Sequence, residues 1–119
     1  MLTDFSDIAA LQSAIYGCCD TLEKMRDEYA AARQVVEFSS ERSKSALAGQ
    51  QAIELESGKG VGAAEVYARQ SDGYRQAMAA IAKQYEAAQS VIAKWHIQQS
   101  KLDALRSILS TQRNLIKEL

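Results

Sequence analysis

A chain of 119 residues has room for one domain and little prospect of a second independent core. Its net charge of −1 gives no global field to draw in nucleic acid, and the absence of proline with only eight aromatic residues argues against a compact globule. An alanine-rich hydrophobic content beside abundant Glu, Lys, Gln and Leu is instead the bias of long helices.

The first element is predicted as a helix over about residues 4–56. Thr3 and Ser6 are each followed by an acid, a hydroxyl-then-carboxylate start signal. Its apolar or small positions recur every three or four residues: Ile8, Leu11, Ile15, Cys18, Leu22, Met25, Tyr29, Ala32, Val36. A period near 3.5 keeps one seam turned toward a partner helix. Residues 39–52 hold four serines and a glycine and form helix poorly, so a break there would yield shorter helices. The neighbours Cys18 and Cys19 project about 100° apart on a helix, which disfavours a disulfide between them, and no metal-ligand spacing surrounds them. They read as small, semi-apolar residues in a reducing compartment.

Three glycines between Gly58 and Gly62 mark the one strong turn, over residues 57–62. The run resembles a phosphate loop only superficially, because no strand precedes it and no Gly-Lys-Ser/Thr ending follows. If this tip binds anything, Lys59 and the free amides suit an acidic group.

The second element is predicted as a helix over about residues 63–118. Tyr67, Tyr74, Ile81, Ala88, Trp95, Leu102, Leu109 and Ile116 follow one another at seven-residue intervals. A new start at Ser71-Asp72-Gly73, capped by Ser71 or Asp72, is the alternative, and with both breaks the chain becomes three or four helices. The expected fold is all-α: two long helices forming one antiparallel coiled-coil hairpin, residue i facing roughly residue 119 − i. Under that relation the small residues Ser39, Ser43, Ala46 and Gly49 meet Gly73, Ala77 and Ala80. The larger Ile8, Leu11, Ile15 and Leu22 meet Trp95, Leu102, Leu105 and Leu109.

No catalytic, metal or cofactor site emerges, so the chain reads as non-enzymatic. His96, the single histidine, has no Cys, Asp or Glu three or four residues away and reads as a surface residue. Glu23, Asp27 and Glu28 alternate with Lys24 and Arg26 as on an ordinary solvated helix face. The aromatics Tyr67, Tyr74, Tyr85 and Trp95, interleaved with bases, fit core packing better than base stacking. Apolar residues also fall off the seam, and a two-helix rod cannot cover them. The expected interaction residues are Phe5, Tyr16, Val91, Trp95, Ile97, Leu105, Ile108 and Leu115. Burying one Leu or Ile gains about 1.5–3 kcal/mol, so a homodimer or another protein partner is expected. Residues 1–60 carry ten acids and six bases and residues 61–119 five acids and eight bases, which favours pairing between the halves. Neither nucleic acid nor a membrane is an expected partner. No apolar run follows a basic amino-terminal region, so a cytoplasmic address is expected.

Tyr74 through Ile81, then Trp95, then Leu102-Asp103-Ala104-Leu105 with Ile108 and Arg113, resembles the second helix of the coiled-coil stalk proteins of flagellar and type III secretion ATPases. The likeness covers about a third of the chain, and the first helix offers no matching motif. It implies an intracellular rod that inserts into an ATPase ring or escorts export substrates.

Overall fold

The computed structural model describes residues 7–118, and these are helical nearly throughout. Four helices follow in order: α1 (Ile8–Glu37), α2 (Ser39–Glu56), α3 (Val61–Gln70) and α4 (Asp72–Glu118). The all-α expectation is met, but two long helices have become four. Both extra breaks fall where the sequence is weakest as helix. Of the described residues, those up to Ala30 and from Val91 onward form one compact unit, and Ala31–Ser90 form another.

α1 opens at Asp7. Its carboxylate accepts the Ala9 amide at 2.9 Å and its carbonyl accepts the Leu11 amide at 3.1 Å, so Asp7 is the cap. The starts expected at Thr3 and Ser6 lie outside the described residues.

The α1–α2 break is local. Phe38 sits at φ −96°, ψ 6°, yet its amide still reaches the Gln34 carbonyl at 3.0 Å and its carbonyl accepts from Arg42 at 3.0 Å. Hydroxyls explain the departure. Ser39 Oγ donates to the Val36 carbonyl and Ser43 Oγ to the Ser39 carbonyl, and such back-bonding loosens and bends a helix.

α2 ends in a Schellman motif. Gly58, at φ 99°, donates its amide to the Leu55 carbonyl, and Lys59 donates to the Glu54 carbonyl. Of the turn's glycines, only Gly58 takes the left-handed backbone that this motif requires. The turn is shorter than expected, since Val61 and Gly62 already belong to α3.

Ser71 serves two helices. Its hydroxyl donates to the Ala68 carbonyl at 2.7 Å, closing α3, and accepts the Tyr74 amide at 3.1 Å, opening α4. A cap of this kind contributes about 0.5–2 kcal/mol, enough to set a boundary inside an otherwise continuous apolar pattern. Nearby, a Cβ at Gly73 would run into the Gln50 side-chain amide, so glycine lets Gln50 lie against the first turn of α4.

In the first unit Leu11, Cys18, Leu102, Leu105 and Leu109 form the buried cluster, and Ile8, Ile15, Leu22 and Ile108 pack around it. Tyr29 stacks on Trp95 with ring centroids 4.4 Å apart and planes 10° from parallel. Trp95 was expected opposite the stretch near residue 24, so the pairing is offset by about one helical turn. In the second unit the buried side chains are all alanines: Ala32, Ala64, Ala68 and Ala88. The offset recurs there: Ser39 and Ser43, set opposite Ala80 and Gln76 by the 119 − i relation, share a groove with Met78, Ile81 and Tyr85.

Candidate interaction surface

Every α1 seam position named from the sequence, from Ile8 to Val36, is buried or half-buried. A seam and the faces beside it are therefore distinguishable residue by residue. The expected interaction residues divide into four groups. Tyr16, Ile97 and Leu115 are open to solvent, at 74%, 64% and 52% of full exposure. Val91, Trp95 and Ile108 are half-buried. Leu105 is buried in the core cluster, where it continues the seam three residues after Leu102. Phe5 lies outside the described residues.

Two residues assigned to the second ladder are exposed instead, Tyr67 at 53% and Ile116 at 55%. The seven-residue phase from Tyr67 to Tyr74 crosses the Ser71 break, where a new helix resets the direction of every side chain. Ile116 lies within three residues of the end of α4, where periodicity carries no information about whether a partner helix reaches that far. The sequence reading also missed Phe38, Ile53, Val61 and Val66, all more than half exposed. Their only signal was an apolar residue off any seam.

Rotation by about 100° per residue places Ala14, Gly17 and Thr21 on one flank of the α1 seam and Tyr16 on the other. The first flank carries a groove of about 410 Å³, shared by Ala14, Gly17 and Thr21 with Gln98 and Lys101 of α4 and floored by Cys18 and Leu105. Ile108 and Leu115 follow Lys101 at seven-residue intervals and Ile97 precedes it by one turn, so all three fall on the flank of α4 that carries Lys101. Tyr16 faces away from it.

Polar groups that looked available are engaged. The Lys59 ammonium meets Glu54 at 2.7 Å and Ser57 Oγ at 3.1 Å and lies 4.8 Å over the Tyr67 ring, so the tip does not offer it to an outside acid. Tyr67 and Tyr85 are not core residues: Tyr85 is 38% exposed and accepts from Gln89 Nε2. His96 is exposed, its ring nearly perpendicular to that of Tyr29 with centroids 6.3 Å apart. A hydrogen bond from Lys24 to Asp20, reinforced by their opposite charges, raises the lysine's pKa on the exposed side of α1. Among the described residues no group of three His, Cys, Asp or Glu side chains could hold a metal ion, and no helix is long and apolar enough to cross a membrane.

No family model, curated protein or solved structure matches the chain.

Proposed function

We propose that the chain is a non-enzymatic protein–protein interaction module of the cytoplasm, a scaffold, adaptor or inhibitor that acts by burying helical faces against a protein partner. In this reading it is an antiparallel coiled-coil hairpin that also pairs with itself. The observation that carries the reading is the row of solvated large apolar side chains beside a seam that is already filled. Exposed apolar residues of this size favour association, and their polar surroundings give a partner its register. Support for the hairpin comes from the contacts inside each unit, where α4 partners fall in number as α1 and α2 partners rise: Tyr29 with Trp95, Ser43 beside Ile81, Gln50 against Gly73. The alternative reading, a stalk or chaperone subunit of a secretion-type ATPase, rests on the resemblance of α4.

Affinity capture from the native host, with partners identified by mass spectrometry, tests the reading when run beside a double variant, Ile97→Asp with Leu115→Asp. Both residues are solvated, so the fold should be unaffected, whereas partner recovery should fall by about tenfold or more, as when interface anchors are lost. An unchanged set of partners would overturn the proposal. Recovery of an ATPase ring subunit with the wild type alone would select the stalk reading.

A further inference from the structure

We infer that the carboxyl-terminal part of α4 is a docking surface for a short acidic helix of the protein partner, centred on Arg106, Arg113 and Lys117. The inference rests on the protein-binding reading above and names the partner's chemistry. The three cations line one groove of about 310 Å³ together with Ser110 and Asn114, and buried Leu109 floors it from the seam side. At about 100° per residue they fall within about 40° of arc, and from Arg106 to Lys117 they extend about 16 Å along the helix. All three are exposed, on the side of α4 turned away from Lys101.

The structure leaves these charges unmatched. Residues 104–117 contain no acid. Residues 8–19, the stretch of α1 whose Leu11 and Cys18 share the core cluster with Leu105 and Leu109, contain no Asp, Glu, Lys or Arg. Asp7 is committed to capping the first turn of α1, and Asp4 lies outside the described residues. Asp103 lies three residues before Arg106 and Glu118 directly follows Lys117, yet among the described residues no ion pair engages any of the three cations. On other exposed helical faces of this chain bases do meet acids: Lys24 with Asp20, Lys44 with Glu41 and Arg69 with Glu65, at 2.9, 3.8 and 3.1 Å.

The form of the patch selects among anions. Nucleic acid and anionic lipid are held by many contacts spread over a wide basic surface. Here the cations make a single row, bounded in sequence by Asp103 and Glu118, so a longer polyanion meets like charge at both ends. A helix offering carboxylates over about three turns fits between them. Arginine suits that occupant, because its fork of N–H donors grips a carboxylate with two parallel hydrogen bonds. Charge of this kind fixes the choice and register of a partner more than the strength with which it is held.

The test is heteronuclear NMR on the full chain with two blocked helical peptides. One carries glutamates spaced four and then seven residues apart, as Lys117, Arg113 and Arg106 are, and the other carries glutamine in their place. At low salt the glutamate peptide should shift the amide signals of residues 106–117, and the glutamine peptide should not. Arg106→Gln with Arg113→Gln, both at exposed positions, should weaken peptide binding by about fivefold or more while the signals of the core residues stay in place. Lys101→Gln should leave peptide binding unchanged. Absent shifts at residues 106–117, equal shifts with both peptides, or equal losses in the two variants overturn this surface and leave the module reading to the partner-capture test. Tighter binding of a short DNA duplex or of phosphatidylserine vesicles than of the glutamate peptide overturns it in favour of a polyanion.

Discussion

Leu11→Ala is expected to destabilise the protein by about 2–5 kcal/mol, the cost of emptying an enclosed leucine site. Leu11 is the one large side chain wholly shielded from solvent among the described residues, and it lies in a cluster with Cys18, Leu102, Leu105 and Leu109. The unit offers little to compensate. Its core has few large members, and small domains have only about 5–15 kcal/mol of total stability. Urea denaturation followed at 222 nm should show a clearly lowered midpoint for Leu11→Ala. Leu115→Ala, at a solvated position, should remain within about 0.5 kcal/mol of wild type. Equal midpoints for the two variants would mean that the α1 seam does not carry the core.

Trp95→Ala is expected to cost about 3 kcal/mol, the low end of the range for removing a packed tryptophan, because the indole is half-buried rather than enclosed. Much of its packing is a single partner, the Tyr29 ring at 4.4 Å. A double-mutant cycle between Tyr29→Ala and Trp95→Ala should therefore return a coupling of about 0.5–1.5 kcal/mol. Trp95 is the only tryptophan, so its fluorescence reports the stack directly in the Tyr29 variant. A coupling of zero would refute the observed register and favour the pairing near residue 24 that simple folding at the glycine turn suggests.

Much of this architecture was legible in the sequence. The α1 seam could be read position by position from Ile8 to Val36, because a 3.5-residue period in an unbroken helix fixes the direction of each side chain. The glycine turn was equally plain, although only the structure shows that Gly58 carries the left-handed backbone. What remained hidden depends on individual hydrogen bonds. The serine-rich stretch and the Ser71-Asp72-Gly73 start were visible as weak points. Whether they break the helix is decided by the Ser39, Ser43 and Ser71 hydroxyls, which helix propensity does not encode. Once Ser71 separates α3 from α4, the ladder phase from Tyr67 no longer holds, and Tyr67 emerges at the surface under Lys59. The faces beside the seam were half legible. Tyr16, Ile97 and Leu115 were read as off the seam and are exposed, Leu105 is buried where the seam reading put it, and the separation of Tyr16 from Ile97 and Leu115 needs both helices in place.

The central claim is that solvated apolar faces, rather than charge, carry the association of this chain. Its most direct test is the mass of the purified full chain by light scattering at tens of micromolar, where weak dimers are populated, first at low and then at moderate salt. The account predicts a mass twice that of the 13.1 kDa chain, largely retained as salt rises, because apolar burial is not screened. A monomer at every concentration, or an assembly that dissociates steeply with modest salt, would contradict it.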